Sequence, residues 1–335
     1  MSLTAIRIRT SAWLRYIGIT LSIAAASAAG PVRAQPYPAR PVTIVVPLSG
    51  GSATDGMTRI LAEQLSKKWG QGVIVLNKPG GSGTIGTTYV ARSPADGYTL
   101  LAMSSNQVIG DSLLPERPVD IKTALRPIVS IGGVPLVLCV NDAVPANSVQ
   151  GLIDLAKSSP GRLNYGSPGV GSTAHIAAAL FARQTSIALT HVPYSAVSQA
   201  QSGLASGQID LMFIIPSVAR QLADLGKIRC LLTNSVTRIP LFPDLPTMKE
   251  TGLSDFEVDD WIGLVGPAGM PEEVARKISA DVLEAIAKPD VRKRIENVGM
   301  IEKPLPYDEF ISRYHGDFSR WLHVLKEIGL ITPTR

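Results

Sequence analysis

Apolar residues in this chain come as short β-branched runs, separated by glycine- and serine-rich turns and by stretches with helical spacing. Residues 42–46, Val-Thr-Ile-Val-Val, are bracketed by Pro41 and Pro47 and read as a buried strand. Residues 55–69 then set Met57, Ile60, Leu61 and Leu65 on one helical face. A second strand is expected at 71–76, and a glycine-rich stretch at 79–86 leads into a short helix ending near Arg92. A third strand is expected at 98–103. The pattern recurs with a strand over 134–140, a helix over 148–158 and a short strand at 163–166. Residues 173–184 follow as a helix with Ile176, Leu180 and Phe181 as its apolar face. Strands at 190–193, 209–215 and 228–233 alternate with helices at 198–206 and 217–225. After a connector holding Pro240, Pro243 and Pro246, a strand at 261–266 precedes helices over 271–287, 289–298 and 306–328.

Strands alternating with helices at this spacing predict parallel βαβ units, which bind ligands at the carboxyl ends of their strands. Two α/β lobes are expected, since 335 residues suit two domains of about 150 residues each. Hydrophobic residues at 45% and charged residues at 18% supply cores and exclude a disordered polyelectrolyte. The net charge of +5 misleads: Arg7, Arg9, Arg15 and Arg33 lie in the first 34 positions, which hold no acid, leaving 28 basic against 27 acidic residues elsewhere. A nearly neutral chain lacks the clustered cations that drive nucleic-acid binding. The first 34 residues read as a cleavable secretory signal peptide: a basic start, an apolar stretch over 16–30, and Val32 and Ala34 as the small residues before the cut. Export would put Cys139 and Cys230, both inside apolar strand-like runs, in an oxidising compartment that permits a disulfide between them. Two buried thiols acting as small hydrophobes are the alternative.

The candidate chemistry sits in two loops. The first, 47–55, carries Leu48, Ser49, Gly51, Ser52, Thr54 and Asp55 between the first strand and the first helix. Glycines admit close approach of backbone N–H groups, and the helix start contributes about half a positive charge. Asp55 is the expected N-cap of that helix. The second loop, with Ser167, Gly169, Val170, Gly171, Ser172 and Thr173, repeats the design. Converging, the two helix starts would bind a carboxylate without Arg or Lys. Tyr194, Asp210 and Trp261, at strand ends, are further ligand candidates. His175 borders the second loop, with a structural role expected.

Other chemistry is disfavoured. The string Gly81-Ser-Gly-Thr-Ile-Gly86 fits a dinucleotide pattern, but no acid stands at the end of a strand about 20 residues on. It reads better as a turn packed on the first loop. His175, His191, His315 and His323 lack metal-ligand spacing, and no Gly-x-Ser-x-Gly elbow is present. No metal, cofactor or catalytic residue is expected.

Several motifs occur in order: Pro47, Gly51, Thr54 and Asp55; Asn77-Lys-Pro-Gly80 with Gly86; Asp96-Gly-Tyr-Thr-Leu100; Asn164-Tyr-Gly-Ser167; Gly169-Val-Gly171; His191-Val-Pro-Tyr194; Gly207-Gln-Ile-Asp210; Leu245-Pro-Thr247; Trp261-Ile-Gly-Leu264; and Pro267-Ala-Gly269. Over residues 36–330 the chain resembles the solute-binding receptors of tripartite tricarboxylate transporters, the Bug-type periplasmic binding proteins. The resemblance implies a two-lobed Venus-flytrap fold, two doubly wound α/β lobes joined by two crossing hinge segments. The lobes would be 36–135 plus 262–335 and 136–261, with crossings near 133–138 and 258–264. It also implies a monomeric periplasmic receptor, not an enzyme, that closes on a small mono- or dicarboxylate through backbone amides, hydroxyls and waters. Transient docking onto integral-membrane permease subunits would follow. Leu48, Ser49, Ser52, Val170, Ser195 and Ala196 depart from the family pattern, so the resemblance locates the pocket better than its specificity. An exported enzyme using the same cleft, or a receptor serving a sensor kinase, stays open on sequence alone.

Overall fold

The β-branched runs become the centres of two sheets in the computed structural model, which describes residues 37–113, 118–235, 237–253 and 260–331. The expected signal peptide lies outside the described residues. In the first lobe, β1 (Val42–Val46), fully buried at four of five positions, runs parallel to β2 (Val73–Asn77) and β3 (Thr99–Ser104). Between them lie α1 (Ala53–Trp69) and α2 (Thr84–Ala91), and α3 (Ser105–Leu113) follows β3 directly. A single helical turn, α4 (Ile121–Ala124), leads into β4 (Leu125–Val134). The first sheet is completed by β10 (Asp260–Pro267) and β11 (Ile301–Leu305), in the order β11-β4-β10-β3-β1-β2.

The second lobe begins with β5 (Val137–Asn141) and α5 (Val149–Ser158), then β6 (Asn164–Ser167) and α6 (Thr173–Gln184). Next come β7 (Thr190–Pro193), α7 (Val197–Ser206), β8 (Leu211–Ile214), α8 (Pro216–Asp224) and β9 (Ile228–Thr233). Its sheet has the order β7-β6-β8-β5-β9. The chain ends with α9 (Glu272–Ile286), α10 (Pro289–Asn297) and, after β11, α11 (Tyr307–Glu327), which pack on the first lobe.

Both sheets are mixed, and the crossings are the reason. β4 delivers the chain out of the first lobe at its carboxyl end, so β5 enters the second lobe there and runs antiparallel to β8 and β9. β9 returns the chain the same way, and β10 accordingly runs antiparallel to β3 and β4. The strand expected over 134–140 is therefore two strands, broken at Pro135 where the chain changes lobe. β4 itself escapes sequence reading because Pro127, Gly132 and Gly133 interrupt it, and its ladder with β10 carries two register shifts. β11, Ile-Glu-Lys-Pro-Leu, is an edge strand whose charges and proline suit that position and hide its type.

One contiguous apolar cluster joins the lobes, taking in Leu101 and Met103 of β3, Leu138 and Val140 of β5, Phe213 of β8 and Phe181 of α6. α11 contributes Phe310, Tyr314 and Trp321, all fully buried at helical spacing. Asp317 lies on the same stripe at 1% exposure, its charge met by Arg313 at 2.9 Å and Arg320 at 3.3 Å. Gly263 of β10 is what lets α11 approach: a Cβ there would lie 2.6 Å from the Val129 carbonyl oxygen and 2.8 Å from Phe310 Cζ. Because backbone cannot yield, Gly263→Ala is expected to cost about 2 kcal/mol, read as a lower urea midpoint. An unchanged midpoint would contradict this packing.

Candidate functional site

The first loop is held by its own side chains. Ser52, not Asp55, is the N-cap of α1: its Oγ accepts the Asp55 N–H at 3.1 Å. Asp55 stands three residues into the helix and reaches back to accept the Gly51 N–H at 2.9 Å, close to a capping box. The same carboxylate accepts from Arg59 Nε at 3.1 Å and Asn77 Nδ2 at 2.9 Å, and Asn77 also donates to the Leu48 carbonyl at 3.1 Å. Burial alone would raise the Asp55 pKa, but the Arg59, Gly51 and Asn77 donors outweigh it and hold the carboxyl below its usual range. Asp55 is 4% exposed, and Thr54 is buried. Asp55 thus spends its charge inside the loop. Among the described residues, no protein acceptor takes the N–H groups of Ser52, Ala53 and Thr54, which open the helix. The glycine string at 81–86 packs here as expected, though only residues 81–83 form a turn and α2 begins at Thr84: a Cβ on Gly86 would lie 3.0 Å from Pro47 Cα and 2.9 Å from the Lys78 carbonyl.

The second loop rests on histidines. Ser172 caps α6 by accepting the His175 N–H at 3.3 Å. His175 Nδ1 in turn accepts the Gly171 N–H at 3.0 Å, which requires a neutral ring with its proton on Nε2. Ser167 Oγ lies 2.7 Å from His191 Nε2, donates to the Gly169 carbonyl at 3.0 Å and accepts the Gly169 N–H at 3.2 Å. The two imidazoles stack at 4.0 Å and 7°, and the Tyr165 ring stacks on His191 at 4.8 Å. Burial, with His191 adding to it, pushes the His175 pKa from 6.5 down to about 4; burial also lowers that of His191. Gly171 sits at φ +81°, and a Cβ there would lie 2.2 Å from Leu113 Cδ1. Val170, at the loop tip, is 64% exposed. Its N–H and that of Ala174 have no protein acceptor among the described residues.

Helix α3, which no strong periodicity marks in the sequence, meets the second loop directly and the first through the turn at 81–83. Gln107 reaches the turn that packs on the first loop: a Cβ on Gly83 would lie 2.9 Å from Gln107 Nε2 and 3.5 Å from Pro47 Cβ. Asn106 Oδ1 lies 3.4 Å from the Thr173 N–H of the second loop, and Leu113 touches Gly171. Asp260, at the start of β10, fixes this end of α3 by accepting from Ser105 Oγ and Asn106 Nδ2, both at 2.8 Å. Gly171 and Thr173 of the second loop thus touch α3 directly, while Pro47 of the first loop stands beside Gly83, the residue Gln107 meets. Neither loop contains a Lys or Arg. Among the described residues no group of His, Cys, Asp or Glu is arranged to hold a metal ion.

The remaining candidates lie elsewhere. Trp261 is 3% exposed, donates from Nε1 to Asp317 at 2.6 Å and packs edge-on to Phe310, so it belongs to the first-lobe core. It borders a cavity of about 390 Å³ at the crossings, with Val134, Pro135, Asn234, Lys303 and Arg313, away from both loops. Tyr194 lays its ring across Gly166 and Gly203 on the α7 side, while its N–H donates to the Ser167 carbonyl at 2.9 Å. Asp210 joins strands: its carboxylate accepts the Asn164 N–H at 2.7 Å, and its own N–H donates to Asn164 Oδ1 at 3.1 Å. These three side chains were expected at the ligand because they stand near strand ends; their partners are lobe-internal.

The histidine pair gives the loop a pH signature. The unfolded chain binds a proton at His175 near pH 6.5, whereas the folded one resists until about 4. Stability present above pH 6.5 is therefore lost as pH falls towards 4. Asp55 contributes only lower, below its ordinary 3.8. His175→Gln removes the titration and keeps an acceptor for Gly171. Urea unfolding from pH 7 to 4 is expected to show a shallower loss for the variant than for the wild type, and identical slopes would contradict the role given to His175.

The profile of the tripartite tricarboxylate transporter family receptors (TctC) matches residues 57–330. BugT of Bordetella pertussis is 34% identical over 322 residues, covering 94% of this chain and 97% of that protein. Among solved structures, Rhodopseudomonas palustris Rpa4515 with adipate superposes with a TM-score of 0.77 at 30% identity, over 88% of this chain and 98% of that one. MatC from the same organism, with bound malate, gives a TM-score of 0.72 at 28% identity, over 86% and 100%. The two α/β lobes on mixed sheets superpose on these relatives, and the chain belongs to the tripartite tricarboxylate transporter receptor family, the Bug-type periplasmic solute-binding proteins.

Proposed function

We propose that this receptor captures a small mono- or dicarboxylate between its lobes, as a monomer, and passes it unchanged to the membrane subunits of a tripartite transporter. One observation carries the reading: two helix starts, one in each lobe, leave main-chain N–H groups unspent, with no cationic side chain in either loop. Such donors match a carboxylate's lone pairs, and each helix adds about half a positive charge at its start. Hydroxyls of Ser49 and Ser52, and bridging waters, complete the shell. Adipate and malate in the two Rhodopseudomonas relatives fit this solute class. The loops touch the ligand together only when the lobes close, so binding selects the closed form. The positive start at Arg7, Arg9 and Arg15, the apolar stretch and Ala34 support export by a cleaved leader. N-terminal sequencing of the exported protein is expected to begin at Gln35, and an intact Met1 would contradict it.

Calorimetry on the purified protein tests the binding reading with adipate, malate and the uncharged diamide of adipic acid. Saturable binding of at least one acid, none of the diamide, and recovery of the acid unchanged are expected. At 100 times Kd the bound acid should add about 2.7 kcal/mol to stability. Gly171→Ala, strained at its positive φ and against Leu113, is expected to weaken that acid at least about tenfold, or about 1.4 kcal/mol. No binding by any small carboxylate, or equal binding of the diamide, would overturn the proposal.

A further inference from the structure

The second lobe places its two cysteines against each other. In the ladder of β5 with β9, Val137 faces Thr233 and Leu138 faces Leu232, a register that would set Leu231 opposite Cys139. It does not, because the register shifts between Leu138 and Cys139, and Cys230 becomes the partner. Leu231 is the extra residue of this bulge, and its effect is to align the two sulfurs. Directly opposed residues of an antiparallel pair have Cα atoms about 4.5–5.5 Å apart. That lies within the range of about 4.4–6.8 Å that disulfides span. The Sγ atoms stand 2.7 Å apart, with both thiols free. Cys139 is fully buried, whereas Cys230 is partly exposed and open to a reagent.

We propose that Cys139 and Cys230 are a disulfide-forming pair that staples the two hinge strands of the second lobe. β5 is the strand that enters from the first crossing and β9 the one that leaves by the second, so a bond between them fixes the crossings to one another at the lobe's edge. The residues are 91 apart in sequence, and the closed loop holds β6, β7 and β8 with their helices, including the whole of the second carboxylate loop. The oxidant is a disulfide, that of an exported thiol oxidase or of oxidised glutathione. Cys230 thiolate attacks it, forming a mixed disulfide and releasing one thiolate. Cys139 sulfur then attacks Cys230 Sγ, expelling the second thiolate. The two protons lost by the cysteines go to the two released thiolates, and the two electrons reduce the oxidant. In the cell the proposal rests on export; the chemistry itself does not, nor does it involve the carboxylate.

Purified, reduced full chain is incubated with oxidised glutathione, denatured, alkylated and weighed. The expected product is lighter by two hydrogens, takes no alkyl group and carries no glutathione. Adding reductant should lower Tm by about 5–10 °C. Cys230→Ser should leave one alkylatable thiol and a Tm insensitive to reductant, which separates the bond from a general effect of reducing agent. Two alkylated cysteines after oxidation, or a stable glutathione adduct on Cys230, would overturn the pairing.

Discussion

Main-chain N–H groups can bind a carboxylate only if they are both rigid and unspent, and those demands oppose each other. A loop is made rigid by hydrogen bonding its own amides, which consumes the donors. Both loops resolve this by spending side chains on selected amides. In the first, Ser52 takes the Asp55 N–H and Asp55 takes that of Gly51, leaving Ser52, Ala53 and Thr54. In the second, His175 takes the Gly171 N–H and Ser167 that of Gly169, leaving Val170 and Ala174. Donors set before the ligand arrives spare it the ordering cost that weakens flexible sites.

The supports differ in chemistry. The first loop uses a carboxylate, and its negative charge beside the proposed anion site is answered by Arg59 and the Asn77 amide. The second uses two neutral imidazoles stacked under the loop, which add no charge while they stay unprotonated. Beside the second loop, α3 is anchored by Asp260, a residue at the start of the returning strand. Asp260, α3 and the second loop are thus linked through side chains in direct contact.

Much of this was legible in the sequence. Val42 to Val46 could be nothing but a buried strand, and the apolar face of Ile176, Leu180 and Phe181 marked the helix at 173–184 without error. The glycine-rich loops announced close backbone approach. What escaped were contacts made across the chain. Asn106 and Gln107 sit in a short helix of weak periodicity, and their value comes from meeting loops more than 20 residues away. The Asp55 carboxylate belongs three residues into its helix because Ser52 also caps well, and local rules do not rank the two. Trp261, Tyr194 and Asp210 stand near strand ends as ligand residues do. Their direction was set by Asp317, Gly203 and Asn164, which no local pattern reveals.

Backbone amide shifts followed by NMR, with 15N-labelled protein titrated with adipate and with malate, test the shared-cradle claim most directly. The account predicts that with at least one of these acids the Ser52, Ala53, Thr54, Val170 and Ala174 amides shift together and saturate at a single Kd. Movement confined to one loop, or centred on the cavity beside Trp261, would contradict it.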